Sequence, residues 1–302
     1  KFMKKDYFEL PLNLNYSHNE SSPMYKTGSD ILLGSDINAA PEEEVTQSDK
    51  INFSTNIKTN FTELNENNLL YKYFTDNSSL SYSYSIDKSS NPTISEKISQ
   101  SKSINYTYNL TYDKKNYWQP FKNLFETETY KHDSDTFPIK YLKEIKFYYT
   151  PKIIEFKAYY TDNDTHIEKR KIFGGTITDD RNINLRRTFK TSYTVTDNMI
   201  LGYNVEMLNN LNDFNNNKLL DISNLLDFRF EPGIKKTYGE QFSFNYTPQI
   251  LDWLSPKFTY NPRYSWRLDN IATNSSSITS NNDFTATFSF SFQKLIEIFY
   301  KE

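Results

Sequence analysis

The three histidines of this chain are its side chains best suited to acid–base chemistry or to metal binding. They are His18, His132 and His166, which lie far apart in the sequence, each in a polar stretch that predicts a loop. Because only folding could bring them together, solvated loop histidines are a better interpretation than a metal site. The chain has no Cys, which excludes disulfides and thiolate metal sites.

The run TDNDTHIE is the nearest approach to a cation site. Its donors are Asp162, Asp164, His166 and Glu168, and carboxylate oxygens are the ligands that calcium prefers. The run lacks the Gly and the terminal Glu at the spacing of a calcium-binding loop. A charged turn is therefore the favoured interpretation.

No other stretch carries a catalytic or nucleotide-binding pattern. Gly174-Gly175 in IFGGTIT is a lone pair with no helix to follow, so a turn is favoured over a phosphate cradle. No nucleophile elbow of the G-x-S-x-G type occurs, and Glu42-Glu43-Glu44 predicts a solvated loop. We therefore expect a protein that is not an enzyme and that holds no cofactor or metal.

Composition narrows the class of protein. Only 36% of the 302 residues are apolar, and no stretch approaches the ~20 consecutive apolar residues of a spanning helix. A membrane β-barrel is still allowed, because its strands alternate apolar and polar residues. A net charge of -3 argues against a nucleic-acid-binding protein. The opening KFMKKDYFEL lacks the apolar core of a signal peptide and the chain stops at FYKE without a terminal signal, so we expect a fragment of a longer protein.

The elements that must position any functional side chain are β-strands. In FTATFSFSF, from residue 284, Phe and Ala alternate with Thr and Ser. A period of two is typical of a strand, because successive side chains point to opposite faces. Twelve segments share this pattern and predict an all-β, antiparallel, up-and-down fold. They are roughly 8–17, 50–61, 79–87, 103–113, 144–150, 153–161, 182–196, 199–207, 222–230, 241–247, 257–268 and 283–293.

The connections between the predicted strands differ in length. Thr150-Pro151-Lys152 and Thr196-Asp197-Asn198 predict hairpin turns, whereas long polar loops are predicted at about 18–49 and 114–143. Between residues 144 and 230 short and long connections alternate, as in an up-and-down membrane barrel with tight turns on one side. We expect residues 1–302 to form a single segment of such a barrel wall, about twelve strands of a larger barrel.

Charge separates the two faces of the predicted strands. With each strand phased so that one face is apolar, that face carries one charged residue, Arg187, and the opposite face carries fifteen. Arg or Lys at a bilayer midplane costs about 2–4 kcal/mol and almost nothing at the interface. Lipid against the apolar face explains why that face carries so few charges. Arg187 fits this interpretation if it lies near the membrane–water interface, since it is toward the start of its segment. The residues predicted to face lipid are Phe284, Ala286, Phe288, Phe290, Phe292, Phe242, Phe244, Tyr246, Ile154, Phe156 and Tyr160, and those predicted to face the lumen are Lys146, Glu155, Lys157, Arg186, Lys190, Glu206, Arg229, Arg263 and Arg267.

Tyrosine favours lipid over a second protein layer. A soluble β-sandwich also has inner faces that alternate cleanly, so alternation alone leaves both open. The predicted apolar face carries twelve Tyr residues, whose hydroxyls would each need a partner in a dry core but can form aromatic girdles at membrane interfaces. Pro11 and Pro262 interrupt predicted strands and must lie at bulges, strand ends or kinks, because Pro removes a ladder donor.

Several stretches share their order and pattern with one known family. Pro120-Phe121-Lys122 is followed by YLKEIKFYYTPKIIEFKAYYTDN, a hairpin turned at a Pro, and FKTSYTVTDNMILGYNVEMLNN gives strand, turn, strand and an Asn-rich end. FNYTPQILDWLSPKFTYNPRYSW contains the most specific element, Leu251-Asp252-Trp253 with Tyr264 and Trp266, and NNDFTATFSFSF fits the next strand. Over most of residues 10–300 the chain thus resembles the SprA/Sov family, the outer-membrane translocons of the type IX secretion system.

The resemblance implies a location, an activity and partners. The chain would form roughly a third of a very large barrel in the cell outer membrane, since the largest barrels known have about 36 strands. Membership implies conduction of folded cargo proteins, which carry a C-terminal sorting domain, to the cell surface. A plug protein and a cargo-shuttle barrel are the implied partners beside the lipid bilayer, and gliding motility depends on some members. No nucleic acid is expected as a partner.

Two alternatives stay open. Another outer-membrane barrel, for lipopolysaccharide assembly or for receptor or transport function, would use the same lipid-facing strands. A soluble secreted β-sandwich binding module would instead bury the apolar face beneath a second sheet.

Overall fold

Alternating segments of the chain form long strands in its computed structural model. The structure describes residues 7–21, 25, 45–63, 67–112, 116–122, 143–171, 174–212, 232–248, 251, 253–270 and 272–299. The strands are β1 (Phe8–Glu9), β2 (Leu12–Ser21), β3 (Thr46–Thr59), β4 (Ser78–Ser90), β5 (Ile94–Thr111), β6 (Tyr117–Trp118), β7 (Phe147–Tyr148), β8 (Ile153–Lys169), β9 (Ile177–Thr196), β10 (Met199–Asn210), β11 (Ile234–Tyr246), β12 (Leu254–Asn270) and β13 (Ser275–Phe290).

The fold is all-β, which confirms the predicted class. The main sheet has 11 strands in the order β1-β3-β4-β5-β8-β9-β10-β11-β12-β13, with β2 also paired to β3. Its strands are antiparallel, and neighbours in space follow one another along the chain except across β6 and β7, which form a separate two-stranded sheet. Within the described part of the chain, β13 has β12 as its one neighbour and β2 has β3, so the sheet is not closed.

Two of the predicted turns form, and the hairpin predicted at Pro151 does not. Asp197-Asn198 is the tight turn between β9 and β10, as predicted. Gly174 and Gly175 lie between β8 and β9 with φ of 101° and 59°, a left-handed conformation that glycine adopts without strain. The hairpin predicted at Pro151 is wrong, because β7 pairs with β6 and β8 takes β5 as its neighbour.

The connections between the described strands include two tight turns. β4 and β5 are joined by residues 91–93, and β9 and β10 by 197–198. The predicted loop at 18–49 is shorter than expected, since Ser21 and Thr46 are still paired between β2 and β3; residues 26–44 and 123–142 lie outside the described residues.

Several strands extend beyond their predicted bounds. β9 begins at Ile177 rather than at 182, which places Arg187 in the middle of the strand. TDNDTHIE lies within β8 and is extended, so the predicted charged turn is wrong. His18 and His166 likewise lie on β2 and β8, not in loops. The predicted segment 222–230 and His132 lie outside the described residues.

The last predicted strand ends three residues early. β13 stops at Phe290, and a helix, α1 (Phe292–Phe299), follows. Phe292 therefore belongs to the helix and not to the alternating strand. Among the described residues, no helix is long and apolar enough to cross a bilayer.

Both prolines interrupt pairing where their missing N–H would be needed. Phe8 lies opposite Thr59 and Leu12 opposite Thr55 in one register, so β1 and β2 are one strand interrupted at Pro11. Pro262 lies inside β12 and is still opposite Asn282 of β13. The pairing of β12 with β11 is missing at Pro262, because proline has no donor for that ladder.

The chain divides into two compact units by its contacts. The first comprises Lys1–Tyr108, Lys157–Arg187 and Leu208–Lys235, and the second Asn109–Phe156, Thr188–Met207 and Lys236–Glu302. In the first unit Ile183, Leu185 and Leu211 are almost fully buried, with Tyr160 against them. In the second unit the aromatic residues of β11, β12 and β13 contact one another, as described below.

Candidate functional site

The register of β11, β12 and β13 collects their aromatic residues on one face. Tyr246 lies opposite Phe258, which lies opposite Ala286. Tyr260 lies opposite Phe284 in the same register. Directly opposite residues share a face of an antiparallel sheet, so the even-numbered residues of the three strands form one surface, here called the aromatic face.

Ring contacts run across this aromatic face. The rings of Tyr246 and Phe258 are stacked with centroids 6.3 Å apart, and Phe258 meets Phe288 edge to face at 5.9 Å. Trp253 stacks on Phe290 at 6.3 Å. Pairs in this distance range stabilise a sheet by about 0.5–1.5 kcal/mol beyond their burial.

The aromatic face of β13 is open. Phe284 is 66% exposed, Phe288 53% and Phe290 59%. Neither Phe288 nor Phe290 lies beneath a second packed layer, which is what a sandwich would require. A continuous exposed apolar surface of this kind marks an interaction site for protein or membrane.

The opposite face of the same strands is polar. Lys257, Arg263 and Arg267 alternate along β12 with the aromatic residues and are exposed. Arg263 lies opposite Asn281 and Arg267 opposite Ser277. Arg267 also contacts Asp269 at 3.1 Å, so both signs of charge occur on this face.

The corresponding apolar positions of β8, β9 and β10 are buried instead. Phe156 is 5% exposed, Val205 4% and Met207 2%. Arg187 is fully buried, and its mid-strand position differs from the interfacial one expected from the sequence. Protein covers these side chains, so Phe156 does not share the exposure of the phenylalanines on β13.

The remaining residues predicted to contact lipid differ in their surroundings. Ile154, Tyr160, Phe242, Phe244 and Tyr246 are half-buried, and Ala286 is exposed. Phe292, at the start of α1, is 74% exposed.

The residues predicted to face the lumen are found in three situations. Lys157, Arg186, Lys190, Arg263 and Arg267 are exposed on strands of the main sheet, while Glu155 and Glu206 are half-buried there. Lys146 is not on the main sheet: it precedes β7, and its Nζ lies 5.1 Å from the ring centroid of Tyr117. Arg229 lies outside the described residues.

Sequence reasoning missed β6 and its pairing with β7. Tyr148 is 7% exposed, and its hydroxyl donates to Oδ1 of Asp197 in the β9–β10 turn at 2.6 Å. The Tyr193 hydroxyl donates to the carbonyl of Tyr148. Burial, together with the Asp197 carboxylate, raises the pKa of Tyr148 to about 12. β7 lies within the predicted segment 144–150, whereas β6 lies in the predicted loop at about 114–143 and, with two residues, shows no period.

The charged side chains of TDNDTHIE pair across β8 and β9. Arg181 holds Asp162 with two bonds, Nε to Oδ1 at 3.0 Å and Nη2 to Oδ2 at 2.9 Å. Asp162 is 7% exposed, so this bidentate pair compensates a carboxylate removed from water. His166 pairs separately with Asp179 at 2.5 Å. No group of three metal-binding side chains occurs in the described part of the chain.

Two comparisons, with protein families and with curated proteins, found no match. The resemblance to SprA/Sov therefore stays a prediction from the sequence.

Proposed function

We propose that this chain is a section of the wall of an outer-membrane β-barrel, and that the barrel is a protein-conducting translocon resembling SprA/Sov. The observation that carries the proposal is the open aromatic face of β12 and β13 opposite a charged, polar face. A lipid-facing wall needs this division, because lipid solvates apolar side chains and a water-filled lumen solvates charged ones.

The length of the strands supports the same proposal. A membrane-spanning strand needs about 9–11 residues, and β13 has 16. Its aromatic positions lie between Phe284 and Phe290, whereas Ser275–Asp283 carries one large apolar residue, Ile278. The whole β12–β13 hairpin is long enough to cross a bilayer, with its aromatic part in the apolar region and its polar part directed toward water.

The polar face supports conduction of protein cargo. Lys257, Arg263 and Arg267 alternate with uncharged hydroxyl and amide side chains on β12 and β13. A wall of this kind holds water and offers no apolar surface to which a folded protein would adhere. Folded proteins with a C-terminal sorting domain are the proposed cargo, and a plug protein and a cargo-shuttle barrel the proposed partners.

The buried positions of β8 and β10 favour a second candidate. Phe156, Val205 and Met207 are covered by protein, as in the core of a soluble β-sandwich. A secreted binding module would explain this burial, but it leaves the open rings of Phe284, Phe288 and Phe290 without a partner.

Arg substitutions on the two faces of β13 distinguish the lipid-facing wall from the soluble binding module. Phe288→Arg puts a guanidinium on the aromatic face, and Thr287→Arg puts it on the polar face one residue away. In a lipid-facing wall, Phe288→Arg lowers the free energy of unfolding from phospholipid bilayers by about 2–4 kcal/mol, and Thr287→Arg changes it little. Denaturant titration of the chain in lipid vesicles measures both.

The behaviour of the chain in buffer without lipid or detergent can contradict the proposed lipid-facing wall. A monomeric, cooperatively unfolding protein in plain buffer would exclude a lipid-facing wall and leave the binding module. Equal effects of the two Arg substitutions would do the same.

A further inference from the structure

One carboxylate lies on the aromatic face, among tyrosine rings. Glu240 of β11 has Tyr264 of β12 directly opposite it, and Tyr238, two residues earlier on β11, lies opposite Trp266. Directly opposite residues share a face of the sheet, so the side chain of Glu240 belongs to the aromatic face. Glu240 precedes the predicted segment 241–247, and the alternation of that segment therefore did not place a charge here.

Tyrosine hydroxyls hold this carboxylate. The Tyr238 hydroxyl donates to Oε1 of Glu240, and the Tyr203 hydroxyl of β10 also hydrogen-bonds to the carboxylate. The ring of Tyr264 meets the ring of Tyr238 edge to face, with centroids 6.3 Å apart. Glu240, Tyr203 and Tyr238 are half-buried, and Tyr264 is 36% exposed. These four residues, here called the tyrosine–glutamate cluster, are therefore accessible from outside the sheet.

The carboxylate of Glu240 has acceptor capacity beyond these hydrogen bonds. An ionised carboxylate has about four acceptor positions on its two oxygens, and two tyrosine hydroxyls do not fill them. Among the described residues, Glu240 forms no ion pair with Lys, Arg or His. A carboxylate partly removed from water is stabilised by a positive charge beside it. The cluster can therefore take a cation.

The rings indicate which class of cation fits. Aromatic faces attract ammonium groups, and cages of aromatic residues are typical binding sites for them. A primary ammonium can in addition donate N–H bonds to a carboxylate, and such charge-assisted bonds are strong. A metal ion would need several carboxylate or imidazole ligands, and no group of three such side chains occurs in the described part of the chain. An alkylammonium group is therefore the favoured ligand.

We propose that the tyrosine–glutamate cluster binds a primary ammonium group, which donates to the Glu240 carboxylate and lies against the tyrosine rings. The ammonium of a phospholipid headgroup is the expected source. Tyr264 lies opposite Ser280 in the polar part of β13, whereas Tyr260 lies opposite Phe284, where the aromatic part begins. The cluster thus lies at the end of the aromatic part, and Tyr and Trp are enriched at the headgroup level of membrane proteins. The lipid source rests on the proposed function, but the ammonium site does not.

Trp266, opposite Tyr238, can report binding. With Trp118→Phe and Trp253→Phe, the full chain keeps Trp266 as its one Trp. The probes are ethylammonium chloride, against sodium chloride of equal concentration, and uncharged detergent micelles doped with phosphatidylethanolamine. We expect both probes to change the Trp266 fluorescence saturably, and phosphatidylglycerol with the same acyl chains, which has no ammonium, to leave it unchanged. A response to ethylammonium alone would overturn the lipid source and assign the site to a free ammonium, such as a lysine side chain.

Glu240→Gln removes the charge and keeps the size of the side chain. We expect it to weaken the binding of both probes by about tenfold or more, because the ammonium loses a charge-assisted hydrogen bond. Glu206→Gln is the matched control: Glu206 is also half-buried, but it lies on the face of β10 opposite to Tyr203. Its binding should equal that of the unsubstituted chain. Tyr264→Leu, which removes a ring and leaves the carboxylate in place, should weaken binding severalfold. Circular dichroism verifies that each variant is folded.

Three results would overturn the ammonium site. They are the absence of a fluorescence response to either probe, equal binding by Glu240→Gln and the unsubstituted chain, and an equal loss in Glu206→Gln and Glu240→Gln. The Phe288→Arg experiment measures folding into bilayers and not ammonium binding. A chain that fails that experiment but still binds ethylammonium through Glu240 would lose the proposed wall and keep the site, so the two proposals fail separately.

Discussion

A few polar side chains fix the places where the strands of this protein connect. Asp76, in the turn before β4, accepts the backbone N–H of Phe61 at 2.7 Å and of Thr62 at 2.6 Å. Burial alone would raise the pKa of Asp76, but the hydrogen bonds from Thr62 and Phe61 outweigh it, and the pKa lies below its ordinary value. The ionised carboxylate thus holds the end of β3 to the start of β4.

The lowered pKa of Asp76 predicts a pH dependence of stability. A carboxylate whose pKa is lower in the folded state stabilises the fold above its unfolded pKa, about 3.9, and loses this contribution as pH falls through the folded value. We expect Asp76→Ala to unfold at a lower urea concentration than the wild type at pH 7. The difference shrinks as pH falls below about 4. A difference that is constant between pH 7 and pH 2.5 would show that the charge of Asp76 contributes nothing.

A proline inside a strand removes a backbone hydrogen bond to one of the two neighbouring strands. Pro262 keeps its place opposite Asn282 of β13, because even-numbered residues of β12 point their backbone toward β11. The missing donor therefore falls on the β11 side, where pairing is absent between Gln241–Arg263 and Phe244–Tyr260. The gap interrupts the ladder with β11 and leaves the pairing of β12 with β13 in place.

Restoring the donor at Pro262 predicts a more stable sheet. Pro262→Val supplies an N–H toward Phe242, and a backbone hydrogen bond contributes about 0.5–1.5 kcal/mol. We expect a gain of this size in the free energy of unfolding, measured by denaturant titration in detergent micelles. Asn261→Val, at the adjacent position whose donor is already present, is the control. A loss of stability in Pro262→Val would mean that another feature interrupts the ladder.

The whole sheet has two chemically different faces, and each is uniform over several strands. On β12 and β13 the aromatic face is open and the opposite face is charged and polar. On β8 and β10 the apolar positions are covered by protein. The proposed wall therefore contacts lipid mainly through β12 and β13, where the rings of Phe284, Phe288 and Phe290 are open.

The proposed translocon predicts a specific defect in cells. In cells that carry the complete gene, Phe288→Arg reduces insertion of the barrel, and we expect surface display of proteins with a C-terminal sorting domain to fall in proportion. Thr287→Arg should leave display unchanged. Surface proteolysis measures display, and lipopolysaccharide at the cell surface is measured in the same cells. Loss of lipopolysaccharide with display retained would favour the alternative barrel for lipopolysaccharide assembly.

Much of the strand content could be predicted because alternation is local. In a run such as FTATFSFSF, the order of the residues alone separates an apolar face from a polar face. β13 could therefore be predicted from its own residues. The polar extensions of β9 and β13 were not predicted, because Ile177–Arg181 and Ser275–Asn282 become strands only through pairing with a neighbour. The same limit explains Pro151, whose turn-like sequence contains no information that β7 pairs with β6.

The sequence by itself determined the all-β class, the two faces of most strands and the absence of cysteine chemistry, because these depend on residue type and on a period of two. Only the tertiary structure decided strand order and which side chains are covered. Phe156 and Phe288 have the same pattern around them, yet one is buried and the other open. Burial depends on what the fold places above a face, and this is set by contacts between residues distant in the chain.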